Sequence, residues 1–380
     1  ISGLKFKDIV LNLGGKLFGS AKWKEEKVLS ENDFFRLNYI PPKKGVKKVA
    51  AMFTAGGYIP YTDNVFRYAP EYNLYQHFLD RGIAIYEMKM KNEKAYNPNL
   101  TRLTYEKNIE TVYEFSKIAF THNQKEQMIL MGYCGTGIIA VSSYLAKLDE
   151  MTKIFPVLTT FVSPVDGTKC NIFTRLLSRL NQHLNFADRL NSDFIKGEEV
   201  VAFIDAALER SHSKTDFGYF LHGWKKKAYK DIKEIDDLTP EQRTEIMIWY
   251  WLAPENNMRA PLSASLARML YNYFYMGINK QGVFPFKYKK KVIDYKNILK
   301  YNAKIIMFHG DRDPLIPPST AEFLDDILDK DHFLRITQYK TAHVGYIFSG
   351  DRWEHNSERA FDPNPIELLL DELKKKTVKK

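Results

Sequence analysis

One stretch, residues 128–148 (MILMGYCGTGIIAVSSYLAKL), constrains this chain more than any other. Its apolar start (residues 128–131) reads as a strand, GYCGTG as a tight turn, and the apolar run from Ile138 as the opening of a helix. Cys134 stands at the apex. A strand that turns directly into a helix needs a sheet behind it and further strands beside it, so the stretch selects a parallel layered architecture. Gly132 and Gly135 permit the sharp turn. A thiol there meets the positive end of a helix dipole, which favours the nucleophilic thiolate. No G-x-S-x-G occurs, so no serine competes for that role. Gly135, Gly137 and Ala140 also spell G-x-G-x-x-A, a dinucleotide-binding pattern. It sits behind several strands instead of in the first βα unit, and no acid ends the next strand at 161–163, so the cysteine reading is preferred.

The flanking chain supplies the expected layers. Residues 35–40 (FRLNYI), 47–54 (KKVAAMFT) and 83–88 read as strands, with helical periodicity at 69–81 and 101–119. After 127–133 come a strand at 157–163, another at 304–309, a helix at 320–328, a strand at 333–339 and a closing helix at 365–374. Strand–helix alternation of this kind predicts an α/β fold with a mostly parallel central sheet and helices on both faces. From about 167 to 299 the alternation breaks into helical segments rich in Trp, Tyr and Phe. The expected organisation is a core of residues 1–166 and 298–380, with a helical cap, 167–297, inserted between core strands.

Two further motifs point to the same chemistry. In HGDRDPLIPP, residues 309–318, a strand runs into G-x-x-D, placing Asp313 at a carboxyl edge where an acid can orient a histidine; Asp311 is the competing candidate. In KTAHVGY, residues 340–346, His343 follows the last strand. Cys134, Asp313 and His343 thus occur in the order nucleophile, acid, base, each after a strand. Backbone N–H groups of Gly56 and Gly57, after the strand at 47–54, and of Gly135 are the candidate oxyanion donors. Cys170 lacks such a setting and reads as structural. There is no H-E-x-x-H, C-x-x-C or close His pair, so neither a metal nor a cofactor is expected.

Composition narrows the class. At 380 residues, with 44% hydrophobic and 14% aromatic residues, the chain can bury a large core. Two cysteines, Cys134 and Cys170, form no disulfide framework, and no membrane-length apolar run or signal-peptide pattern is visible, so a cytoplasmic protein without a transmembrane segment is expected. The net charge of +10 is concentrated in WKKKAYK (224–230), KYKKK (287–291) and the tail KKKTVKK. These read as solvated faces or as attraction for anionic substrates or surfaces. No nucleic-acid module is present. Residues 1–19 have apolar and lysine residues at helical spacing, read as a packing helix or an amphipathic surface segment.

The assembled motifs resemble polyhydroxyalkanoate synthases of the α/β-hydrolase superfamily, nearest to the short forms without a long N-terminal domain. The likeness runs from about Val28 to Gly350 through GYCGTG, Pro60–Tyr61, YNLYQHFLDRGIAIYEM, LTYEKNI, WYWLAPENNMRAP and AHVGYIF. The resemblance implies that Cys134 carries a growing acyl chain as a thioester taken from 3-hydroxyacyl-CoA, the coenzyme A thioester being substrate and not cofactor. It implies His343 as general base and Asp313 as its partner, a homodimer, and a polymer-granule surface as a further partner. The sequence departs from that family at Thr136, where the family has Gly, at Pro314, where it usually has His, and at Tyr58, where it usually has Asn. A cysteine hydrolase of an ester, thioester or lactone, as in dienelactone hydrolases with a similar G-Y-C elbow, stays open, as does a silent acyl-CoA-binding scaffold.

Overall fold

The computed structural model describes residues 22–42, 49–55, 66–67, 73–91, 97–170, 262–313 and 315–378, with short pieces at 13–14, 194–195, 237–239, 242 and 246. Most of the expected segment at 1–19 and most of the expected cap lie outside the described residues.

The frame is a sheet whose buried strands are short apolar runs: β3 (Val49–Phe53), β5 (Ile129–Tyr133), β6 (Val157–Phe161) and β11 (Lys304–Gly310) have no exposed residue. Strands buried on both faces lose the polar–apolar alternation, which is how a parallel interior strand reads in sequence. β1 (Lys27–Glu31), β2 (Phe35–Ile40), β4 (Ile83–Met90) and β12 (Phe333–Gln338) complete eight strands in the order β1-β2-β4-β3-β5-β6-β11-β12. Pairing is antiparallel from β1 through β2 to β4 and parallel from there to β12.

Successive strand residues point to opposite faces, so the sheet divides the core in two. Ala50 and Met52 join one cluster, with α2 (Tyr105–His122), α3 (Gly135–Ala146) and α4 (Leu148–Ile154) packed over it. Ala51 and Phe53 join the other, under α1 (Leu74–Asp80) and α8 (Pro365–Val378). Local signals start these helices. Asn73 caps α1 by accepting the N–H groups of Tyr75 and Gln76, and Thr104 caps α2 by accepting that of Lys107. The expected mostly parallel sheet with helices on both faces is what forms. No helix among the described residues is long and apolar enough to cross a membrane.

Four details differ from the sequence reading. β1, KVLSE, is an edge strand with a mixed pattern and no apolar face to betray it. α3 opens at Gly135, not Ile138, so the helix begins directly after Cys134. Residues 320–328 form only one α-turn, α6 (Leu324–Ile327), behind a 3₁₀ turn at Pro318–Thr320. Between β6 and β11 the described chain is not all helical. It contains the two-residue pair β7 (Phe194–Ile195) and β8 (Leu262–Ser263), then α5 (Ala264–Met276), then a hairpin of β9 (Val283–Tyr288) and β10 (Lys291–Asp294). Leu266, Tyr273, Phe284 and Ile293 bring α5 and the hairpin into the same core cluster as α3.

Candidate active site

The site is assembled at the carboxyl edge of the parallel strands, where their connections are free to carry chemistry. β5 leads into α3 through Cys134 alone. Its backbone takes φ 48° and ψ −126°, a conformation a non-glycine residue holds only under constraint from its surroundings. The constraint is visible. A Cβ on Gly132 would lie 2.6 Å from the Gly137 Cα and 2.9 Å from the Ala140 Cβ, and one on Gly137 would lie 2.2 Å from the Ser163 Oγ. The helix is pressed against its own strand and against the end of β6. The glycines of GYCGTG that close packing demands are therefore Gly132 and Gly137, and Ala140 serves the same contact.

Thr136 has a specific place in this turn. The Tyr133 N–H donates to its Oγ1 and its hydroxyl donates back to the Tyr133 carbonyl, both at 2.9 Å. A threonine where the resembled family has glycine thus staples the elbow. Thr54, at the end of the β3 segment, ties in as well: its N–H donates to the Met131 carbonyl at 2.9 Å and its hydroxyl faces the Met131 and Thr136 carbonyls. Gly135, as the first residue of α3, contributes one of the first-turn amides that have no acceptor within the helix. Gly56 and Gly57 lie outside the described residues.

The candidate carboxylate and imidazole come from the connections after β11 and β12. Asp313 is buried, and its Oδ1 accepts the N–H groups of Leu315 and Ile316 at 2.9 and 3.0 Å. This leaves Oδ2 aimed at the Nδ1 of His343, 2.7 Å away. Asp311, the competing acid, instead accepts the Thr341 N–H at 2.9 Å and so holds the loop that carries His343. Gly310 lets the two loops meet, since a Cβ there would fall 2.1 Å from the Thr341 carbonyl oxygen.

The electrostatics converge on the imidazole. Burial opposes a charge on His343, but the charge of Asp313, the nearby Cys134 and the 2.7 Å hydrogen bond to Asp313 outweigh it and raise the proton affinity well above the ordinary histidine range. Cys134, Asp313 and His343, singled out from sequence on three separate segments, therefore meet in one place. Cys170 is fully buried, and burial first, then the charges of Asp313, Cys134 and Asp166, pushes its thiol well up. Its neighbourhood to the site had no signal in the sequence. Neither did that of His309, buried at the end of β11 with Nε2 3.3 Å from the Ser163 carbonyl and Nδ1 without a hydrogen-bond partner. Val162, in the left-handed region at φ 44°, marks the same rim and is likewise unsignalled.

No protein-family model matches this sequence, and no curated protein sequence does. Solved structures do match in shape. A soluble variant of monoglyceride lipase from Saccharomyces cerevisiae, in complex with a substrate analog, is similar at a TM-score of 0.50 and 13% identity, covering 92% of this chain and 94% of that one. A Paleococcus ferrophilus monoacylglycerol lipase is similar at 0.48 and 9%, covering 89% and 99%. With the strand order and the elbow, the likeness to the yeast lipase settles the architecture. The chain has the α/β-hydrolase fold. In this α/β-hydrolase fold the thiol stands at the elbow between β5 and α3, and β11 and β12 deliver the carboxylate and the imidazole.

Proposed function

We propose that this protein is a cysteine-dependent acyl-transfer enzyme. The observation that carries the reading is His343, whose Nδ1 lies 2.7 Å from the Asp313 carboxylate and whose proton affinity is raised by Asp313 and by Cys134 at the strained elbow. In the first step the Cys134 sulfur attacks the carbonyl carbon of an ester or thioester as His343 takes the thiol proton. An S–C bond forms, the bond from carbonyl carbon to the donor's oxygen or sulfur breaks, and His343 returns the proton to the leaving group. The Gly135 amide, with Gly56 and Gly57 as partners, is the donor set for the developing oxyanion. In the second step an O–H acceptor attacks the thioester, His343 takes its proton and passes it to the departing sulfur.

The donor class we favour is 3-hydroxyacyl-CoA, with the hydroxyl end of a growing chain as acceptor; this makes the enzyme a polyhydroxyalkanoate-type synthase, with a granule surface as its partner. Exchange between two thioesters is nearly isoenergetic, which suits a cysteine charged by coenzyme A esters. Water as acceptor makes it a hydrolase instead, and the lipase of the same fold makes glycerol monoesters the second donor to supply.

One assay separates these. Purified protein receives 3-hydroxybutyryl-CoA, and free coenzyme A, free hydroxy acid and insoluble polymer are followed together. Polymer with coenzyme A is the expected result; free acid alone overturns polymerisation and leaves hydrolysis. Full turnover by Cys134→Ala overturns the nucleophile in either case.

A further inference from the structure

We propose that the Tyr133 hydroxyl is a positioning group that sets the distance of His343 from Cys134; this deepens the reading of Cys134 as nucleophile and rests on it. The site consists of two bodies. Asp313 and His343 belong to one. Beyond their own contact, the Arg312 N–H donates to the Thr341 carbonyl at 3.0 Å, the Thr341 N–H to Asp311 at 2.9 Å, and the Tyr346 hydroxyl to the His309 carbonyl at 2.9 Å. Acid and base loops therefore move together. Cys134 belongs to the other body, the elbow of β5 and α3, stiffened by Thr136.

Tyr133 joins them. It is the residue before Cys134, and its hydroxyl donates to the backbone carbonyl of His343 at 2.7 Å. The elbow end of this strut is rigid, because both backbone polar groups of Tyr133 are bonded to Thr136. The ring is buried, edge-on to Phe66 at 5.5 Å and to His343 at 6.3 Å, and stacked at 6.3 Å on Phe161. Packing needs only the ring; the hydroxyl makes the bond that spans the two bodies. Burial, helped by the charges of Cys134 and Asp313, keeps its proton well above the usual phenol range, so it stays a donor at every working pH. Remove it and the His343 carbonyl loses this donor, and the base loop is free to shift against the sulfur.

Tyr133→Phe tests the idea, with Tyr144→Phe as its control. Tyr144 is also buried and donates to a backbone carbonyl, that of Phe155, at 2.7 Å, ten residues along the chain from the nucleophile. Two readouts are taken: kcat and KM on a substrate the parent protein turns over, and the rate of iodoacetamide alkylation of Cys134, located by peptide mass, from about pH 5 to about pH 9. Loss of positioning predicts that Tyr133→Phe lowers kcat by about ten- to a hundredfold at unchanged KM. It also predicts slower Cys134 alkylation on the acid side, with neither change in Tyr144→Phe. The proposal is overturned if Tyr133→Phe matches the parent in both readouts, or if Tyr144→Phe loses as much. His343→Ala separates this from the reading beneath it. If that variant leaves the alkylation profile unmoved, the pairing of Cys134 with His343 is itself wrong. If it moves the profile and Tyr133→Phe does not, only the strut fails.

Discussion

The two halves of the site are built by different physics. The Cys134 half is held chiefly by steric pressure, with Thr136 and Thr54 adding hydrogen bonds: a helix lies so close to its strand that glycines are required at 132 and 137, and Cys134 takes up the strain. The Asp313–His343 half is held by hydrogen bonds that Asp311 and Asp313 accept and Tyr346 donates, with Arg352 donating to the Lys340 carbonyl and the Thr341 hydroxyl at 2.9 and 2.7 Å. Close packing fails abruptly when an atom is added, whereas a bonded network fails when a donor or acceptor is changed. Steric errors should therefore appear in stability, and polar errors in turnover.

The largest expected effect breaks the polar half. In Asp313→Asn the Leu315 and Ile316 N–H groups select the amide oxygen for the inner position, which turns the amide NH₂ toward His343. Nδ1 must then accept, its proton moves to Nε2, and the imidazole can no longer take a proton from the thiol. Turnover should fall roughly 10³- to 10⁴-fold with the thermal midpoint little changed. Kinetics beside a melting curve would check this, and a parallel loss of fold would contradict the division drawn above.

Next comes the steric half. Gly137→Ala puts a methyl group 2.2 Å from the Ser163 Oγ and 2.5 Å from its Cβ, at the junction of α3 and β6. Overpacking of this kind costs about 3 kcal/mol, read as a drop in the denaturant midpoint. Thr136→Ala at the same turn removes only the staple and should cost about 1 kcal/mol. If Gly137→Ala is no worse than Thr136→Ala, the elbow is not pressed as described.

A third test concerns the histidine that the chemistry does not use. Burial lowers the proton affinity of His309 to about 4, against the nearby charge of Asp313 and the Ser163 carbonyl contact. Its folded-state pKa lies below the unfolded value, so its contribution to stability is intact above the unfolded pKa and is lost as pH falls through the folded one. The window runs from about 6.5 down to about 4, and is worth about 3 kcal/mol. His77, lowered to about 4 chiefly by its own burial, acts in the same window. His343, raised by Asp313 and Cys134 despite burial, has the opposite sign, its contribution fading as pH rises through its folded pKa. His309→Gln should flatten the acid limb of a urea-denaturation series, and an unchanged limb would assign that loss elsewhere.

Much of this was legible in the sequence, for identifiable reasons. The buried strands are contiguous apolar runs, Cys134 and Asp313 follow two of them, and His343 follows the half-exposed edge strand β12, so chain order signalled all three. What stayed hidden depends on non-local contact. Nothing in GYCGTG says that Gly137 faces Ser163, or that Thr136 folds back on Tyr133. Asp311 and Asp313 differ in whether the carboxylate meets the Thr341 amide or the His343 imidazole on the same loop, and the hairpin at 283–294 was masked by lysines that read as a solvated face.

The smallest effect bears most directly on the comparison, because it gains stability at the price of function. Cys134 occupies a backbone region that glycine enters freely and other residues do not. Relief of that strain predicts that Cys134→Gly stabilises the folded protein by about 1 kcal/mol while turnover disappears. Cys134→Ala, which keeps a Cβ and hence the strain, should lose turnover equally without that gain. The difference between the two variants isolates the backbone term from the loss of the thiol. Equal stability of the two would mean that the turn accommodates a side chain without cost, and that the steric half is held by less than its geometry implies.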